Sequence, residues 1–224
     1  MIKNISNLGD AAVYCDFGKE VDKATNSNVI RYFKNIQKNN LKGIINLTPS
    51  YNKLIISIDL KITNYDEIKK VIEKLDVNKT VSDIGKKIEV PVCLENSFSL
   101  DIKRLEEKLS ITREKIYTNF LKKEYFCYMT GFIAGMPFLG DLDKNMRANR
   151  LDTPRVKVPK GSIGLTEQFT NIYTFESPGG WNIIGNTPVK IFDSSKKNNP
   201  NLISPGDTVT FKEISLKDYE NYNE

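Results

Sequence analysis

Glu176-Ser177-Pro178-Gly179-Gly180-Trp181 is the stretch on which the reading of this chain turns. It holds the single Trp of the 224 residues, directly after a Pro-Gly-Gly run. Pro178 presets φ for the first central position of a turn. Gly179 accepts the positive φ that a type II turn needs next, so a tight turn is expected here. Gly180 is expected to let the backbone pass close to whatever Trp181 packs on. Working outward, most of the chain's Gly and Pro falls between Gly131 and Asp207, in Gly131–Gly140, Thr153-Pro154-Arg155, Val158-Pro159-Lys160-Gly161-Ser162 and Ser204-Pro205-Gly206-Asp207. By pattern alone these are either the turns of an all-β domain or the loops of a site carried on one.

On both sides of that stretch short apolar runs alternate with turn residues: Tyr125 to Phe132, Val156 to Val158, Ser162 to Leu165, Asn171 to Phe175, Asn182 to Ile184, Val189 to Phe192 and Thr208 to Ile214. This spacing predicts a closed or nearly closed β-barrel. Residues 194–200 read as an exposed loop, and the polar tail from Asp218 to Glu224 is expected to fray. The amino-terminal half has a different rhythm. A strand over Ala11 to Phe17 precedes a helix over Glu20 to Asn39. Strands at Gly43 to Leu47 and Lys53 to Asp59 are joined at Pro49-Ser50-Tyr51-Asn52. A second helix is capped by Asn64 with Glu67 three residues on, and a further strand covers Lys87 to Cys93. The order β-α-β-β-α-β is the split βαβ, or ferredoxin-like, pattern. The fold expectation is therefore α+β, with a ferredoxin-like domain over residues 1–85. A helical pair over Ser99 to Leu109 and from Thr112 onward bridges to a β-barrel, the two making up residues 86–224.

Composition narrows the function classes. The formal net charge is +5, from 33 basic and 28 acidic residues of interleaved sign, so no nucleic-acid partner is expected. Cys15, Cys93 and Cys127 are odd in number and lack C-x-x-C spacing, which fits buried thiols in the cytoplasm better than disulfides or a zinc site. No apolar run reaches the length of a membrane span and no signal-peptide core opens the chain. The chain contains no His, so no imidazole serves as base, nucleophile or metal ligand, and no metal is expected. No phosphate-cradling Gly loop of the Walker type occurs either.

Read together, Gly131-Phe132, Gly135, Leu139-Gly140, Leu142, Thr153-Pro154-Arg155, Val158-Pro159, Gly161-Ser162, Ile172-Tyr173, Glu176 through Trp181, Ile184-Gly185, Thr187-Pro188 and Pro205-Gly206-Asp207 resemble a family. It is that of the B subunit of the bacterial three-component 5-oxoprolinase, also labelled allophanate hydrolase subunit 1 and kinase-A inhibitor. The family is related to carboxyltransferase subdomains C and D of urea carboxylase. A weaker likeness covers Leu8-Gly9-Asp10-Ala11-Ala12, Phe17-Gly18 and Pro49-Ser50-Tyr51.

The resemblance implies a cyclophilin-like barrel and a non-autonomous hydrolase subunit that opens the lactam of 5-oxoproline to glutamate. Its implied partners are a homologous barrel subunit and a third subunit. ATP is implied at the level of the complex, with no cofactor bound by this chain alone. Two other readings stay open: a regulatory binder of the histidine-kinase-inhibitor type, and an allophanate- or urea-handling subunit.

The resemblance places the site residues among Arg155, Ser162, Tyr173, Glu176 and Ser177, with Arg155 and Glu176 as the catalytic candidates. Arg155 either holds a carboxylate or phosphate with its planar fork or makes a barrel-rim salt bridge. Glu176 either acts as base or acceptor for a lactam N–H or caps a turn. Tyr173 reads more as a barrel residue than as a catalyst. Lys160, beside the Gly161 and Ser162 amides, is a candidate anion nest. Asp141, Asp143 and Asp152 read as turn residues. The departures from the family are the missing His near Tyr117-Thr118-Asn119-Phe120, Ala134-Gly135-Met136 in place of Pro-Gly-Phe, Ala148-Asn149-Arg150 in place of Thr-Pro-Arg, and Glu167-Gln168-Phe169-Thr170-Asn171 in place of Gly-Gly-Gln-Thr-Gly. The last change is expected to reshape a loop and delete an amide partner.

Overall fold

The computed structural model describes residues 1–76, 85–197 and 199–222, so Asn198 of the expected loop and the last two residues of the expected tail lie outside the described residues. The chain divides into two compact units, Met1–Ile84 and Gly85–Glu224. In the first, β1 (Asn4–Asn7), β2 (Ala12–Asp16), α1 (Lys23–Asn39), β3 (Ile44–Pro49), β4 (Lys53–Ile58) and α2 (Tyr65–Glu73) follow in order. The four strands form an antiparallel sheet in the order β1-β2-β4-β3. Strand alternation sends Val13, Cys15, Leu54, Ile56 and Ile58 to one face. There they meet Val29 and Ile36 of α1 and Ile68 and Ile72 of α2. Local signals start both helices: the Asp22 carboxylate accepts from Thr25 N–H at 2.7 Å and the Asn64 side chain from Glu67 N–H at 3.1 Å.

One strand of the first unit differs from the sequence expectation, and in the second unit Pro137–Gly140 and Ser177–Gly179 are strands that the sequence reads as turn or loop. The ferredoxin-like sheet does not take its last strand from Lys87 to Cys93. The place beside β2 is filled by β1, whose Asn-Ile-Ser-Asn is too short and polar to register as a strand by alternation. The Lys87–Val92 segment, β5, instead pairs in parallel with the last strand of the second unit. Its Val90 and Val92 are fully buried in that unit's core.

The second unit is the barrel. After β5 come α3 (Ile102–Leu109), α4 (Arg113–Leu121), β6 (Tyr125–Thr130), β7 (Pro137–Gly140), β8 (Arg155–Val158), β9 (Ser162–Thr166), β10 (Phe169–Ile172), β11 (Ser177–Gly179), β12 (Asn182–Asn186), β13 (Thr208–Glu213) and α5 (Leu216–Glu220). Seven of the strands form one sheet in the order β12-β9-β10-β7-β6-β13-β5. Its two edges meet: Cys93, just past β5, exchanges backbone hydrogen bonds of 2.8 and 3.0 Å with Asn186 at the end of β12. That bridge removes the open edges a sheet of this size would otherwise leave. Ile102 and Leu105 of α3 and Ile116 and Phe120 of α4 are buried with Leu139, Ile163, Leu165, Ile172 and Val209 of the strands in a single core.

Two smaller expectations change. Val189 to Phe192 forms no strand, only one bridge between Phe192 and Asn201. Much of the carboxyl-terminal tail is held by contacts the sequence does not reveal. Ser215 caps α5, the Tyr219 hydroxyl donates to Asn186 Oδ1 at 2.9 Å, and its ring lies 4.5 Å from that of Phe98. Among the described residues no helix is long and apolar enough to cross a membrane.

Candidate functional site

Outside the barrel sheet, β8 and β11 pair into a two-stranded ribbon, with Ser177 opposite Val158 and Gly179 opposite Arg155. This ribbon carries the organising hexapeptide. Ser177-Pro178-Gly179 is therefore extended strand, and the expected tight turn is absent. Pro178 is tolerated because a two-stranded ribbon is all edge. The glycine roles also change places. Gly179 is not among the positive-φ residues. It is required because a Cβ there would run into the Tyr173 hydroxyl, whereas a Cβ at Gly180 would meet Pro154 at an ordinary 3.5 Å. The ribbon is seated by a small core of its own, in which Val158 packs with Met136, Tyr173 and Ile183. Trp181 is 6% exposed, lies edge-on to Phe138 at 5.6 Å and carries the Arg150 guanidinium 5.8 Å from its ring centre.

Arg155 makes the pair with the strongest geometry in this region. Its guanidinium donates two parallel bonds to Asp101, Nη1 to Oδ2 at 2.9 Å and Nη2 to Oδ1 at 2.6 Å. Asp101 stands just before α3 and is 5% exposed. Its Oδ2 also accepts from Ile183 N–H at 2.7 Å, and its own N–H donates to Ile183 O at 3.0 Å. One carboxylate thus ties the start of α3, strand β12 and the ribbon together. Of the two readings of Arg155, the geometry matches the salt bridge, and the fork that would grip a ligand is spent on Asp101.

Glu176 lies on the same ribbon but has a different partner. Its carboxylate takes Lys157 Nζ at 3.0 Å, with the side chains 56% and 74% exposed. The structure therefore does not engage Arg155 and Glu176 with a common partner. Glu176 and Lys157 remain an accessible acid and base, while Arg155 is a clamp.

Ser162 is 2% exposed within β9. The anion nest expected at Lys160-Gly161-Ser162 is not available. Gly161 N–H donates to Tyr173 O at 2.7 Å and Ser162 N–H to Pro159 O at 3.2 Å, so both amides are already used. Tyr173 is 1% exposed, and burial pushes its phenol above the ordinary range, against a smaller opposing pull from its hydrogen bonds to Asn171 and the Trp181 backbone. It is a barrel-wall residue. Ser177 is nearly buried and its hydroxyl has no partner among the described residues. A buried hydroxyl left unpaired costs free energy, so Ser177 is the predicted site residue with spare hydrogen-bonding capacity.

Sequence reading missed Asp101 and undervalued Asp141. Asp141 follows β7 and is half-buried. Its carboxylate accepts from the Tyr128 hydroxyl at 2.9 Å and from Gln168 Nε2 at 2.7 Å. The amide thought lost from the loop before Ile172 is present one residue earlier than in the family pattern, at Gln168. Glu167, at the first central position of the two-residue turn between β9 and β10, holds φ +43, where a Gly would sit without strain. The signal for Asp141 was a carboxylate close to a Gly at a strand end. Asp101 lay inside the span read as helix, Ser99 to Leu109, whereas the helix starts at Ile102 and leaves the Asp101 carboxylate free to face the ribbon and β12.

A loosely covered apolar surface lies beside the ribbon. In the loop from Gly131 to Met136, Phe132 has φ +69 and is 69% exposed. The loop is fastened by Thr174 Oγ1 donating to Ala134 O at 2.7 Å, and a Cβ at Gly135 would collide with Phe192. Phe192 in turn lies 5.8 Å from Phe175, which is 46% exposed.

Comparison with known proteins places the sequence and the fold in a family. Residues 3–203 match the family described as carboxyltransferase domain, subdomain C and D. The chain is 32% identical to the B subunit of 5-oxoprolinase from Bacillus subtilis, over 98% of this chain and 96% of that protein. The solved structure of TTHA0988 matches with a TM-score of 0.82 at 26% identity, over 91% of this chain but only 40% of that one. The urea carboxylase of Kluyveromyces lactis matches with a TM-score of 0.78 at 18% identity, over 97% of this chain and 22% of that one, which shows the shared fold. With the family match spanning most of its length and a relative alike from end to end, the chain belongs to the family of carboxyltransferase domain, subdomain C and D.

Proposed function

We propose that this chain is the counterpart of the B subunit in an ATP-dependent 5-oxoprolinase, in which the lactam of 5-oxoproline is opened to glutamate. The observation that carries the reading is the 32% identity to a protein named as the B subunit of 5-oxoprolinase, extending over nearly the whole of both chains. The chain works with a homologous barrel subunit and a third subunit, and ATP is consumed by the assembly. Activation of a stable amide explains the coupling: transfer of phosphate to the lactam oxygen makes the carbonyl carbon far more electrophilic. The three thiols suit a cytoplasmic protein. Burial pushes Cys15 up to about 12 and raises Cys93 and Cys127 as well, so none is poised to react. The exposed Phe132 and Phe175 give a partner an apolar surface to cover.

Within the site, Glu176 is the acceptor for the lactam N–H, Lys157 its counter-charge and Ser177 a hydrogen-bonding group beside it. Asp141, oriented by Tyr128 and Gln168, is a second polar group of the barrel unit that lies outside the ribbon. Arg155 acts indirectly by holding the ribbon that presents Glu176 and Ser177. The lack of any His favours a second reading, a binding component whose chemistry lies in its partners.

The test is reconstitution. This chain is combined with the other two components of a bacterial 5-oxoprolinase, and ATP-dependent release of glutamate is measured. Activity that requires this chain, and co-elution with the second barrel subunit, support the reading. Separate elution at micromolar concentration, with turnover indifferent to the chain, sinks it.

A further inference from the structure

The parallel pair β5/β13 has a cleft at the end where both strands begin. Lys86 stands there just before β5, tied by its N–H to Asp207 Oδ1 at 2.8 Å. The cleft measures about 560 Å3, and its wall carries Lys86, Lys190, Lys196, Lys197, Pro200 and Leu202. This is the size range of small-molecule sites, about 300–1,000 Å3. The one carboxylate in the wall, Asp193, is bound to Lys190 at 3.1 Å. The Ser195 hydroxyl, Lys190 and the Ser195 N–H hold Asp193 down at about 2, so it stays charged and offsets one lysine only. Among the described residues, Lys86, Lys196 and Lys197 form no ion pair. An excess of positive charge therefore converges on one concavity in a chain whose charges are otherwise interleaved.

The loop that carries these lysines is braced. Asp193 N–H donates to Pro200 O at 2.8 Å, Lys196 N–H to Asp193 O at 3.1 Å, Asn199 N–H to Lys196 O at 3.2 Å and Leu202 N–H to Ile191 O at 2.9 Å. Like charges gathered around one cavity repel, and a bound anion removes that repulsion. Ammonium groups act as point charges with rotatable donors, which suits the several oxygens of a phosphate chain. Leu202, 41% exposed, and Pro200 supply an apolar wall beside them.

We propose that this cleft binds a polyphosphate-bearing small molecule of the nucleoside di- or triphosphate class. The phosphates lie on the lysines and the apolar wall takes the remainder. This goes beyond the reading of the chain as a 5-oxoprolinase component. It also differs from the sequence expectation that nucleotide binding belongs to the assembled complex.

The experiment is calorimetric titration of the whole chain, alone, with sodium tripolyphosphate, ADP and ATP at low ionic strength. Saturable binding that weakens as salt is added is expected. The double substitution Lys196→Glu with Lys197→Glu should weaken tripolyphosphate by about tenfold or more. Lys19→Glu with Lys42→Glu changes the net charge equally on the other unit and should leave affinity within about twofold. ATP should bind more tightly than tripolyphosphate, because the apolar wall takes the nucleoside; equal or weaker affinity for ATP overturns the nucleotide assignment. Absence of saturable binding at about 1 mM, the floor of useful affinity, overturns the proposal, as does equal weakening by both double variants. A cleft that takes only an acidic protein partner belongs to that overturning outcome. Because no 5-oxoproline is present, a failed reconstitution of activity leaves this result untouched, and the reverse also holds.

Discussion

Two ion pairs on one ribbon differ in almost every physical respect. Arg155 and Lys157 stand two residues apart on β8, and each meets a carboxylate. Arg155 reaches Asp101 with two parallel bonds in a setting where the Asp101 side chain is 6% exposed and a backbone amide completes the carboxylate's shell. Lys157 reaches Glu176 with one contact at 3.0 Å, and both side chains are mostly in water. A buried, hydrogen-bonded charge cannot lose its partner without being stranded, whereas an exposed pair exchanges protein for solvent at little cost. The first pair therefore holds the ribbon in place, and the second is available for a ligand. Matching a family motif did not distinguish the two roles, since Arg155 and Glu176 both match it.

The largest test removes the clamp. Asp101→Ala leaves the Arg155 guanidinium and Ile183 N–H unpaired and should destabilise the barrel unit by about 3–5 kcal/mol. Denaturant unfolding followed by Trp181 fluorescence reads that unit, because Trp181 is the chain's one Trp. A loss under about 1 kcal/mol would make the two pairs equivalent and break the contrast.

Arg155→Lys is the next in size. It keeps the charge and loses the planar fork, for an expected cost of about 1–2 kcal/mol in the same measurement. An unchanged midpoint would mean that only charge matters at this position.

A change of opposite sign calibrates the scale without touching either pair. Glu167→Gly relieves a left-handed backbone and should stabilise by about 0.5–1 kcal/mol, seen as a raised unfolding midpoint. If the midpoint falls, the hydrogen bond from Glu167 N–H to Ala148 O at 2.7 Å depends on the side chain more than the turn geometry indicates.

Glu176→Ala should be the smallest in stability, within about 0.5 kcal/mol. The reconstituted complex should nonetheless lose most of its turnover. A stability loss as large as that of Arg155→Lys would place Glu176 in the frame rather than in the site. Turnover equal to wild type would remove it from the site altogether.

How far the sequence could be read follows from the range of the forces involved. The helix starts at Asn64 and Thr112 were legible because a cap is a contact between residues three apart, and the structure has Thr112 accepting from Lys115 N–H at 3.4 Å. Most barrel strands were legible as short apolar runs between turn residues, but β7 and β11 were hidden in the Gly- and Pro-rich stretches read as turns or loops. β1 was not legible, because four residues with two apolar side chains carry too little pattern. The fate of β5 was hidden for another reason: its alternation fits either sheet, and only the parallel pairing with β13, more than a hundred residues away, selects one.

The site shows the same division at finer scale. That a Gly must follow Pro178 is written in the sequence, but its cause is not. The sequence suggests a turn conformation, and the structure shows the Tyr173 hydroxyl occupying the space a side chain would need. Asp101 lies 54 residues from Arg155 and 82 from Ile183, so no local pattern could mark it as the centre of the clamp. By itself the sequence determined the family, the α+β class and the set of polar groups available, with imidazole excluded. Tertiary structure decided which of those groups remain free. An ionic or hydrogen-bonding group is used up by whichever partner folding brings within about 3 Å, and that choice is made by strands and loops distant in the chain.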